Sequence, residues 1–375
     1  MRKYIALCVV LAGGIMVSLT GCSFHTPKDS ASSDVVREIS LNNTEEPAET
    51  ADAATPNPTK DSSASPHKKS YPKIVSHARV ESFGGTIKVG RNAYELYNYV
   101  DSSAKSYAKV VNSVANQLKG KAKVYDMVVP TSIGITLPDN KASKINSSHQ
   151  GKSIKSIYKK LNQHVISVSL YDTLMSHRKE YIYYRTDHHW TSRGAYYAYR
   201  QFCKEKDWQA HEMSEYKTAN FGSFLGSFYM DTNKNKSLRK DVVKAYYPVS
   251  DKKLEMVYYD EHGGKYDSAV ISNGKNYSIQ LKYCAFLSGD NPYSVIKNKK
   301  IHDGSSCLVV KESYGNTLIP YLADHYQKIY VVDYRYWKGS IGKLARKNKV
   351  QDVIFVNNIS MTRNAYLIGK LAQVK

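Results

Sequence analysis

Cysteine is scarce in this sequence, and the few cysteines follow no metal-binding or disulfide pattern. The 375 residues include five cysteines. Cys8 and Cys22 lie near the N terminus, which leaves Cys203, Cys284 and Cys307, an odd number without C-x-x-C spacing. Neither a disulfide framework nor a zinc ribbon is therefore expected. Cys203, in a predicted helix, and Cys307, in a predicted strand, are interpreted as small buried apolar residues.

The sequence also lacks an apolar run long enough for a stable transmembrane helix, which needs about 20 residues. Its N-terminal apolar run extends only over residues 5–17, after Arg2 and Lys3. A positive start followed by a short apolar core is typical of a signal peptide, here residues 1–22. The segment ends in Leu-Thr-Gly-Cys22, which resembles the bacterial lipobox, where the cysteine is acylated. We therefore expect an exported lipoprotein, anchored through Cys22 at the outer face of the cell membrane. A cleaved signal peptide with an unrelated cysteine is the alternative.

Acidic residues are few: 33 Asp and Glu stand against 54 Lys and Arg, a formal net charge of +21. Residues 23–70 hold eight of the acids and five of the bases, with many small polar residues and few large apolar ones. This composition predicts a disordered tether, assigned to residues 23–75. The remaining chain carries about +22, which indicates an anionic neighbour. For an exported lipoprotein we expect a cell-surface glycan or anionic wall polymer. Nucleic acid is not expected, because no nucleic-acid-binding motif is present.

Residues 76–375 alternate predicted strands and helices, the pattern of an α/β fold with a doubly wound parallel sheet. Apolar runs predict strands at 122–129, 165–171, 306–310, 328–333 and 353–356. Helical spacing predicts helices at 93–118, 153–162, 195–206, 317–326 and 364–373. Residues 211–300 differ, because tyrosine and glycine are frequent and strand-like runs occur at 242–247, 254–259 and 277–286. We interpret this stretch as a β-rich insertion whose tyrosines serve either sugar stacking or strand packing.

Four side chains suited to chemistry are consecutive in Asp187-His188-His189-Trp190. An aromatic strand-like run, 181–184, precedes them, and Thr191 and Ser192 follow at positions typical of a helix N-cap. They therefore lie in a loop between a predicted strand and a helix, where α/β proteins often carry their functional residues.

Ser313 lies directly after the strand at 306–310 and before a predicted helix. Such a serine is presented at the carboxyl end of the sheet, beside free helical N–H groups suited to an oxyanion. Its own N–H, together with that of Tyr314 or Gly315, is the predicted donor pair. A serine nucleophile needs a base with an orienting group, and Asp187 and His189, two residues apart, fit those roles. An ordinary N-cap serine remains the alternative from local sequence.

The context Tyr-Tyr-Arg-Thr-Asp187-His-His-Trp190-Thr-Ser-Arg-Gly resembles the signature of the DHHW family of bacterial exported proteins. That family is related to the SGNH-hydrolase-like domain of alginate O-acetyltransferases, in which the motif is Asp-x-His-Trp and the catalytic serine lies in a Gly-Asp-Ser-Phe turn. The segment 311–316, Lys-Glu-Ser-Tyr-Gly-Asn, is similar to that turn. The resemblance implies an SGNH-like fold, acyl chemistry, and a triad of Asp187, His189 and Ser313.

The chain departs from the pattern of these relatives around the serine. Lys311, Glu312 and Tyr314 replace the Gly, Asp and Phe of the turn. The oxyanion-hole glycine and asparagine of free-standing SGNH esterases are not identified, and the asparagines at 316, 357 and 358 remain open candidates.

Four further residues are predicted to contact substrate: His188, Trp190, Tyr314 and Arg335. Trp190 as a packing anchor, and Arg335 in a surface ion pair, are the structural alternatives.

The predicted function is acyl, most specifically acetyl, transfer to or from a cell-surface or secreted glycan by a Ser-His-Asp mechanism. No cofactor and no metal are expected, and a membrane O-acyltransferase is the expected acyl supplier. Two rivals remain. One is a zinc site built from Asp187, His188, His189 and His177. The other is a non-catalytic basic protein that binds anionic wall polymer or polysaccharide.

Overall fold

The structure is a computed structural model and describes residues 70–375. The signal peptide, Cys22 and residues 23–69 of the tether lie outside the described residues. The last residues of the predicted tether contact the folded part. The Tyr71 hydroxyl donates a hydrogen bond to Asp172 (2.5 Å), and the Ile74 N–H donates to Asp139 (2.7 Å). None of the helices within residues 70–375 combines the length and apolar character needed to span a bilayer.

An eight-stranded mixed sheet forms the centre of the fold. In chain order the strands of the described region are β1 Val80–Phe83, β2 Thr86–Val89, β3 Asn92–Glu95, β4 Lys123–Val129, β5 Val165–Ser167, β6 Lys217–Phe224, β7 Asp241–Tyr247, β8 Leu254–Tyr259, β9 Lys265–Ser268, β10 Tyr293–Asn298, β11 Ser306–Lys311, β12 Lys328–Asp333 and β13 Asp352–Asn358. The large sheet has the order β5-β4-β13-β11-β12-β10-β8-β9. The first five strands are parallel, whereas β10, β8 and β9 pair antiparallel.

Helices cover both faces of this sheet, as a doubly wound fold requires. They are α1 Asp101–Gln117, α2 Ser132–Ile135, α3 Asp139–Ala142, α4 Gln150–Tyr158, α5 Tyr171–Ser176, α6 Ser192–Glu205, α7 Ser227–Asp231, α8 Ile319–Leu322, α9 Ile341–Lys347 and α10 Ala365–Gln373. Side chains alternate along β11: Leu308 and Val310 belong to the core shared with α1, and Cys307 and Val309 to the core shared with α6. The central strand is thus buried on both faces, which explains its continuous apolar sequence.

The β-rich insertion is joined to the main sheet. It contributes β8, β9 and β10 to that sheet, and β6 and β7 form a separate antiparallel pair. Antiparallel extension of a parallel sheet is common in large α/β folds. The predicted strands at 242–247 and 254–259 are present, but 277–286 is not a strand. That region contains the short 3₁₀ helix Lys282–Ala285, and another, Gly274–Asn276, directly precedes the region.

Four other predicted elements differ. The strand predicted at 165–171 ends at Ser167, and Tyr171 begins α5. The helix predicted at 93–118 begins only at Asp101, because residues 92–95 pair with β2 as strand β3. Tyr94 and Tyr97 have helical spacing, but Tyr94 is extended because it pairs with Ile87 of strand β2. The aromatic run 181–184 forms a single bridge, Tyr183 to Trp190, and no strand. The helix predicted at 317–326 is limited to Ile319–Leu322, which follows a 3₁₀ turn, Ser313–Thr317.

Candidate active site

The loop that carries Asp187 to Trp190 is closed by backbone hydrogen bonds. The Tyr184 N–H donates to the carbonyl of His189 (3.2 Å), and the Thr191 N–H donates to that of Ile182 (2.9 Å). The Thr191 hydroxyl then accepts from the Gly194 N–H and caps α6, as predicted. A side chain at Gly194 would come within 2.4 Å of the Ile182 carbonyl oxygen, so a glycine is needed where α6 passes the loop.

A buried carboxylate from the insertion holds the tip of the loop. Asp241 accepts from the N–H groups of Arg185 and Thr186 (2.9 and 2.7 Å) and from the Thr186 hydroxyl (2.6 Å). The Tyr181 hydroxyl also donates to it, at 2.6 Å. Two backbone donors and two hydroxyls on one carboxylate leave the loop little freedom, and no local motif predicted this role for Asp241.

The three predicted catalytic side chains meet, although 124 residues separate His189 from Ser313. The Nδ1 atom of His189 lies 2.6 Å from Asp187 Oδ1, and its Nε2 atom lies 2.7 Å from Ser313 Oγ. Because a carboxylate accepts only, Nδ1 carries the proton, and Nε2 is left to accept from the serine. All three side chains are at least 93% buried. The arrangement is a hydrogen-bonded chain from acid to imidazole to hydroxyl.

Asp187 is positioned by residues of the insertion. Its second carboxylate oxygen accepts from the backbone N–H of Ser227 (3.0 Å), and its first also accepts from the His189 N–H (3.0 Å). Gly226 packs so closely that a Cβ there would lie 2.2 Å from the carboxylate oxygen. Burial disfavours the charged form of Asp187, but the neighbouring imidazoles and these donors outweigh it and hold its pKa below the usual range.

The His189 ring is enclosed between two other rings. Tyr283 stacks on it with a centroid distance of 3.9 Å and an interplanar angle of 17°, and His188 lies 3.9 Å away and tilted. The Tyr283 hydroxyl donates to the Ser313 carbonyl (2.9 Å), so one residue of the insertion contacts both His189 and Ser313. The sequence did not identify Tyr283. Its helical turn falls inside the run that we predicted as a strand.

His188 is half-buried at the edge of this arrangement. Its Nδ1 atom is 2.7 Å from the Ser227 hydroxyl. Burial lowers the pKa of His188, and the adjacent His189 lowers it further. Of the four predicted substrate contacts, His188 is the one that lies directly against the triad.

The other three predicted substrate contacts have structural surroundings. Trp190 and Tyr314 have no exposed surface. The Trp190 indole donates to the Tyr314 carbonyl (3.0 Å), and the Tyr314 hydroxyl donates to the His188 carbonyl, so each fixes the other's loop. Arg335 forms ion pairs with Asp333 (2.6 Å) and Asp290 (2.9 Å). In this structure two of these three residues are buried packing residues and the third is a paired cation, which matches the structural alternatives for Trp190 and Arg335.

Glu312, immediately before the serine, occupies two of the three backbone donors that we assigned to an oxyanion, those of Tyr314 and Gly315 but not that of Ser313 itself. One of its oxygens lies 3.2 Å from both Ser313 Oγ and the Tyr314 nitrogen, and the other accepts from the Asn358 N–H (2.9 Å). The Gly315 N–H is bound to the Glu312 carbonyl (3.0 Å). Neither the Tyr314 nor the Gly315 N–H is therefore free, contrary to prediction. Burial raises the pKa of Glu312, and Arg335 partly offsets this.

The three asparagines considered for the oxyanion hole differ in their contacts. The Asn316 amide donates to Asp290 (2.9 Å), and the Asn357 amide donates to the Tyr107 hydroxyl (3.3 Å) inside the core. The Asn358 side-chain oxygen accepts from the Ser360 N–H (2.9 Å). Asn358 alone of the three leaves its amide group without an acceptor among residues 70–375.

The same loop contains the group of potential metal ligands suggested by sequence. Ligand atoms of Asp187, His188 and His189 all lie within 4.8 Å of one another. Both nitrogens of His189 already bond to Asp187 and Ser313, so a metal ion would have to replace one of these bonds. His177 is not part of the group, since its Nδ1 atom is 2.7 Å from Glu180 and its ring stacks on Tyr197.

Comparison with known structures supports the fold. The crystal structure of a DHHW family protein from Eubacterium siraeum DSM 15702 aligns with a TM-score of 0.71 and 30% identity, over 79% of this chain and 97% of that one. Bacillus cereus PatB1 with a sulfonyl adduct aligns at a TM-score of 0.65 and 16% identity, over 78% and 100%. The O-acetyltransferase domain of Pseudomonas putida AlgJ aligns at 0.41 and 11%, over 81% and 100%. No curated protein sequence matches the chain.

The predicted fold class, an SGNH-hydrolase-like α/β sheet with a β-rich insertion, is thereby confirmed. The family model described as DHHW protein matches residues 69–332, which is most of the chain. That match, together with the Asp187-His188-His189-Trp190 loop, shows that this protein belongs to the DHHW family.

Proposed function

We propose that this protein is an SGNH-like acyl transferase or esterase that acts on a cell-surface or secreted glycan, with acetyl as the transferred group. The observation that carries the proposal is the hydrogen-bonded chain from Asp187 through His189 to the Ser313 hydroxyl. The acetyl group and the glycan acceptor rest on the resemblance to alginate O-acetyltransferases. The related fold of PatB1, which binds a sulfonyl group, is consistent with a reactive serine in this architecture.

In the first half-reaction Ser313 attacks the carbonyl carbon of an acyl donor. His189 Nε2 takes the hydroxyl proton as the new C–O bond forms, and Asp187 stabilises the resulting imidazolium through Nδ1. Collapse of the tetrahedral intermediate breaks the bond to the leaving group, which receives the proton from Nε2. The product is an ester on Ser313 and neutral His189.

In the second half-reaction an acceptor hydroxyl reverses these steps. His189 removes its proton, the acceptor oxygen attacks the acyl carbon, and the Ser313 ester bond breaks as the serine regains a proton. A glycan hydroxyl gives transfer, and water gives ester hydrolysis. The same residues therefore serve both reactions, and the nature of the acceptor decides between them.

Replacement of Ser313 by alanine tests the catalytic proposal. The protein comprising residues 70–375 should hydrolyse p-nitrophenyl acetate and take one sulfonyl group from phenylmethylsulfonyl fluoride, located at Ser313 by mass spectrometry. Ser313→Ala should lose both by about 10³-fold or more. Ser237→Ala, an exposed serine elsewhere, is the matched control and should behave as wild type. Equal turnover by Ser313→Ala and wild type would overturn the proposal.

Two additional measurements on the same protein, metal content and polymer binding, test the rival functions. Turnover that a chelator abolishes, with stoichiometric zinc in the purified protein, would favour the metal site at Asp187, His188 and His189. An unreactive Ser313 together with tight polymer binding would favour the non-catalytic binder, which the folded part's charge of about +22 supports.

We further propose that the enzyme is exported and held at the outer face of the cell membrane by a lipid on Cys22. The lipobox-like sequence Leu-Thr-Gly-Cys22 after a short apolar run supports this anchor. A membrane O-acyltransferase is the proposed supplier of acyl groups, because acyl donors must reach the outer face. Incorporation of a labelled fatty acid tests the anchor, and its absence from the full-length protein would overturn it.

A further inference from the structure

A cavity of about 460 Å³ lies behind the run that leads into the Asp187–Trp190 loop. Its volume falls within the range of small-ligand sites, about 300–1,000 Å³. Three segments contribute its wall: residues 73–75, strand β3, and the run from Arg178 to Arg185. The polar lining residues that matter here are Lys73, Asn92, Lys179, Tyr181 and Arg185.

Positive charge predominates in the lining: four basic residues face a single acid, Glu180. The charge of Glu180 is already compensated, because it bonds to His177, Arg193 and Tyr197. Arg178 is also fully engaged, with the carbonyls of residues 135 and 137 and with Asp139.

Two ammonium groups of the cavity remain available. Lys73 and Lys179 are exposed, and neither forms a hydrogen bond or ion pair within residues 70–375. Lysine side chains are flexible and strongly hydrated, and their ammonium groups bind carboxylate or phosphate as point charges. The lining therefore offers an uncompensated double positive charge to a ligand.

A planar surface lies beside these charges. The Arg185 guanidinium stacks over the Tyr181 ring at 4.2 Å, and Asp241 fixes both residues. The Asn92 side chain adds an amide that can hydrogen-bond to hydroxyls. Aromatic and guanidinium planes with nearby amides and cations suit a sugar ring that bears a negative charge.

We propose that this cavity binds a repeat unit of an anionic glycan, one that bears carboxylate or phosphate. The same backbone run lines the cavity and continues into the triad: Arg185 is a wall residue, and Asp187 follows two residues later. A polymer held by Lys73 and Lys179 is thereby kept close to the loop of the reacting groups. As an acceptor-holding site the cavity rests on the proposed acyl-transfer function, but binding itself does not require it.

The test compares two double variants of the full-length protein. Lys73→Gln/Lys179→Gln removes both free charges, and Lys119→Gln/Lys121→Gln removes two exposed lysines from the turn after α1. Binding of oligogalacturonate, poly(glycerol phosphate) and a neutral cello-oligosaccharide is measured by calorimetry at about 0.15 M salt. Urea unfolding confirms that each variant is folded.

The cavity variant should bind the preferred anionic polymer about tenfold more weakly than wild type, and the control variant within about twofold. Preference for oligogalacturonate assigns a carboxylated unit, and preference for poly(glycerol phosphate) a phosphorylated one. Equal losses of affinity in both variants would show that binding depends only on the overall positive charge, and would overturn the proposed site. Absence of binding to either anionic polymer, or equal binding of the neutral oligosaccharide, would also overturn it.

Ser313→Ala separates this proposal from the catalytic one. It should bind the polymer as wild type does, because the serine is not part of the cavity. Intact binding with an unreactive Ser313 in the wild type would refute the acyl-transfer function and leave the cavity standing. Normal sulfonylation of Ser313 without polymer binding would refute the cavity proposal and leave the acyl-transfer function standing.

Discussion

Gly226 is expected to be essential for activity although it carries no functional group. Its backbone φ of −94° is available to any residue, so conformational freedom is not the reason for a glycine here. The reason is space. A Cβ at Gly226 would lie 2.2 Å from Asp187 Oδ2 and 2.3 Å from Asp187 Cβ, whereas an ordinary contact begins at 3.4 Å.

An alanine at 226 therefore requires a displacement of about 1.1 Å between the two backbones. If Asp187 moves away, its 2.6 Å bond to His189 lengthens to as much as about 3.7 Å, which is no longer a hydrogen bond. If residue 226 moves instead, the Ser227 N–H leaves Asp187. Misplacement of a catalytic group by about 1 Å can cost about 10²-fold in rate, and overpacking costs about 1–3 kcal/mol of stability. We expect Gly226→Ala to lose about 10²-fold in activity while remaining folded.

The assay is the second-order rate constant for sulfonylation of Ser313 by phenylmethylsulfonyl fluoride, followed by intact mass. It does not depend on knowing the natural substrate. Gly85→Ala is the matched control, since a Cβ at Gly85 meets nothing within 4 Å. Urea unfolding measures the stability of both variants. A Gly226→Ala protein that is labelled within about threefold of wild type would refute the argument that packing against Gly226 positions Asp187.

Two further predictions concern buried carboxylates. Glu312→Gln should lower the free energy of unfolding by about 1–3 kcal/mol, because its amide cannot accept from both the Tyr314 and the Asn358 N–H. Sulfonylation should fall less than about tenfold, and a larger fall would show that the carboxylate helps to activate Ser313. Burial raises the pKa of Asp126 to about 7 from an ordinary 3.8. Because the folded state binds this proton more tightly, its stabilising contribution is complete below about pH 4 and is lost as pH rises through 7. Urea unfolding of wild type should therefore lose up to about 4 kcal/mol relative to Asp126→Asn between pH 4 and 8, and a constant difference would contradict the raised pKa.

The parts of the fold that were predictable have their cause in local sequence. Strands β11, β12 and β13 are short apolar runs because both faces of a parallel sheet are buried. Thr191 marks the start of α6 because its hydroxyl satisfies a free backbone donor. The mispredicted parts depend on distant partners. Strand β3 forms because β2 and the Arg185 carbonyl pair with it, and residues 277–286 take up helical turns around Tyr283.

In the candidate site, too, the residues predicted correctly belong to local motifs, and those that were missed act from distant parts of the chain. Asp187, His189 and Ser313 were found from the sequence because they belong to two contiguous motifs. Their supports were missed: Ser227 and Asp241 lie 40 and more residues from the loop that they hold, and Tyr283 lies 30 residues from the carbonyl that it binds. Trp190 and Tyr314 show why a motif alone does not assign a role: both are fully buried, and an aromatic residue in a motif serves packing as readily as recognition.

The charges around the triad differ in sign from the charge of the folded part as a whole. Residues 71–375 carry about +22, yet Asp187 contacts His189 (2.6 Å), and the carboxylates of Glu95, Asp231 and Glu312 lie around His188. Of these three carboxylates, only that of Glu95 has an ion pair with an arginine or lysine (Arg363, 3.2 Å) within residues 70–375. An anionic group of a polymer is therefore disfavoured next to the reacting imidazole, whereas a neutral hydroxyl is not. The free ammonium groups of Lys73 and Lys179 lie instead on the cavity side of the loop. If the acceptor is an anionic glycan, its charged groups and its reacting hydroxyl must therefore contact different parts of the protein, and the run from Tyr181 to Asp187 connects the two.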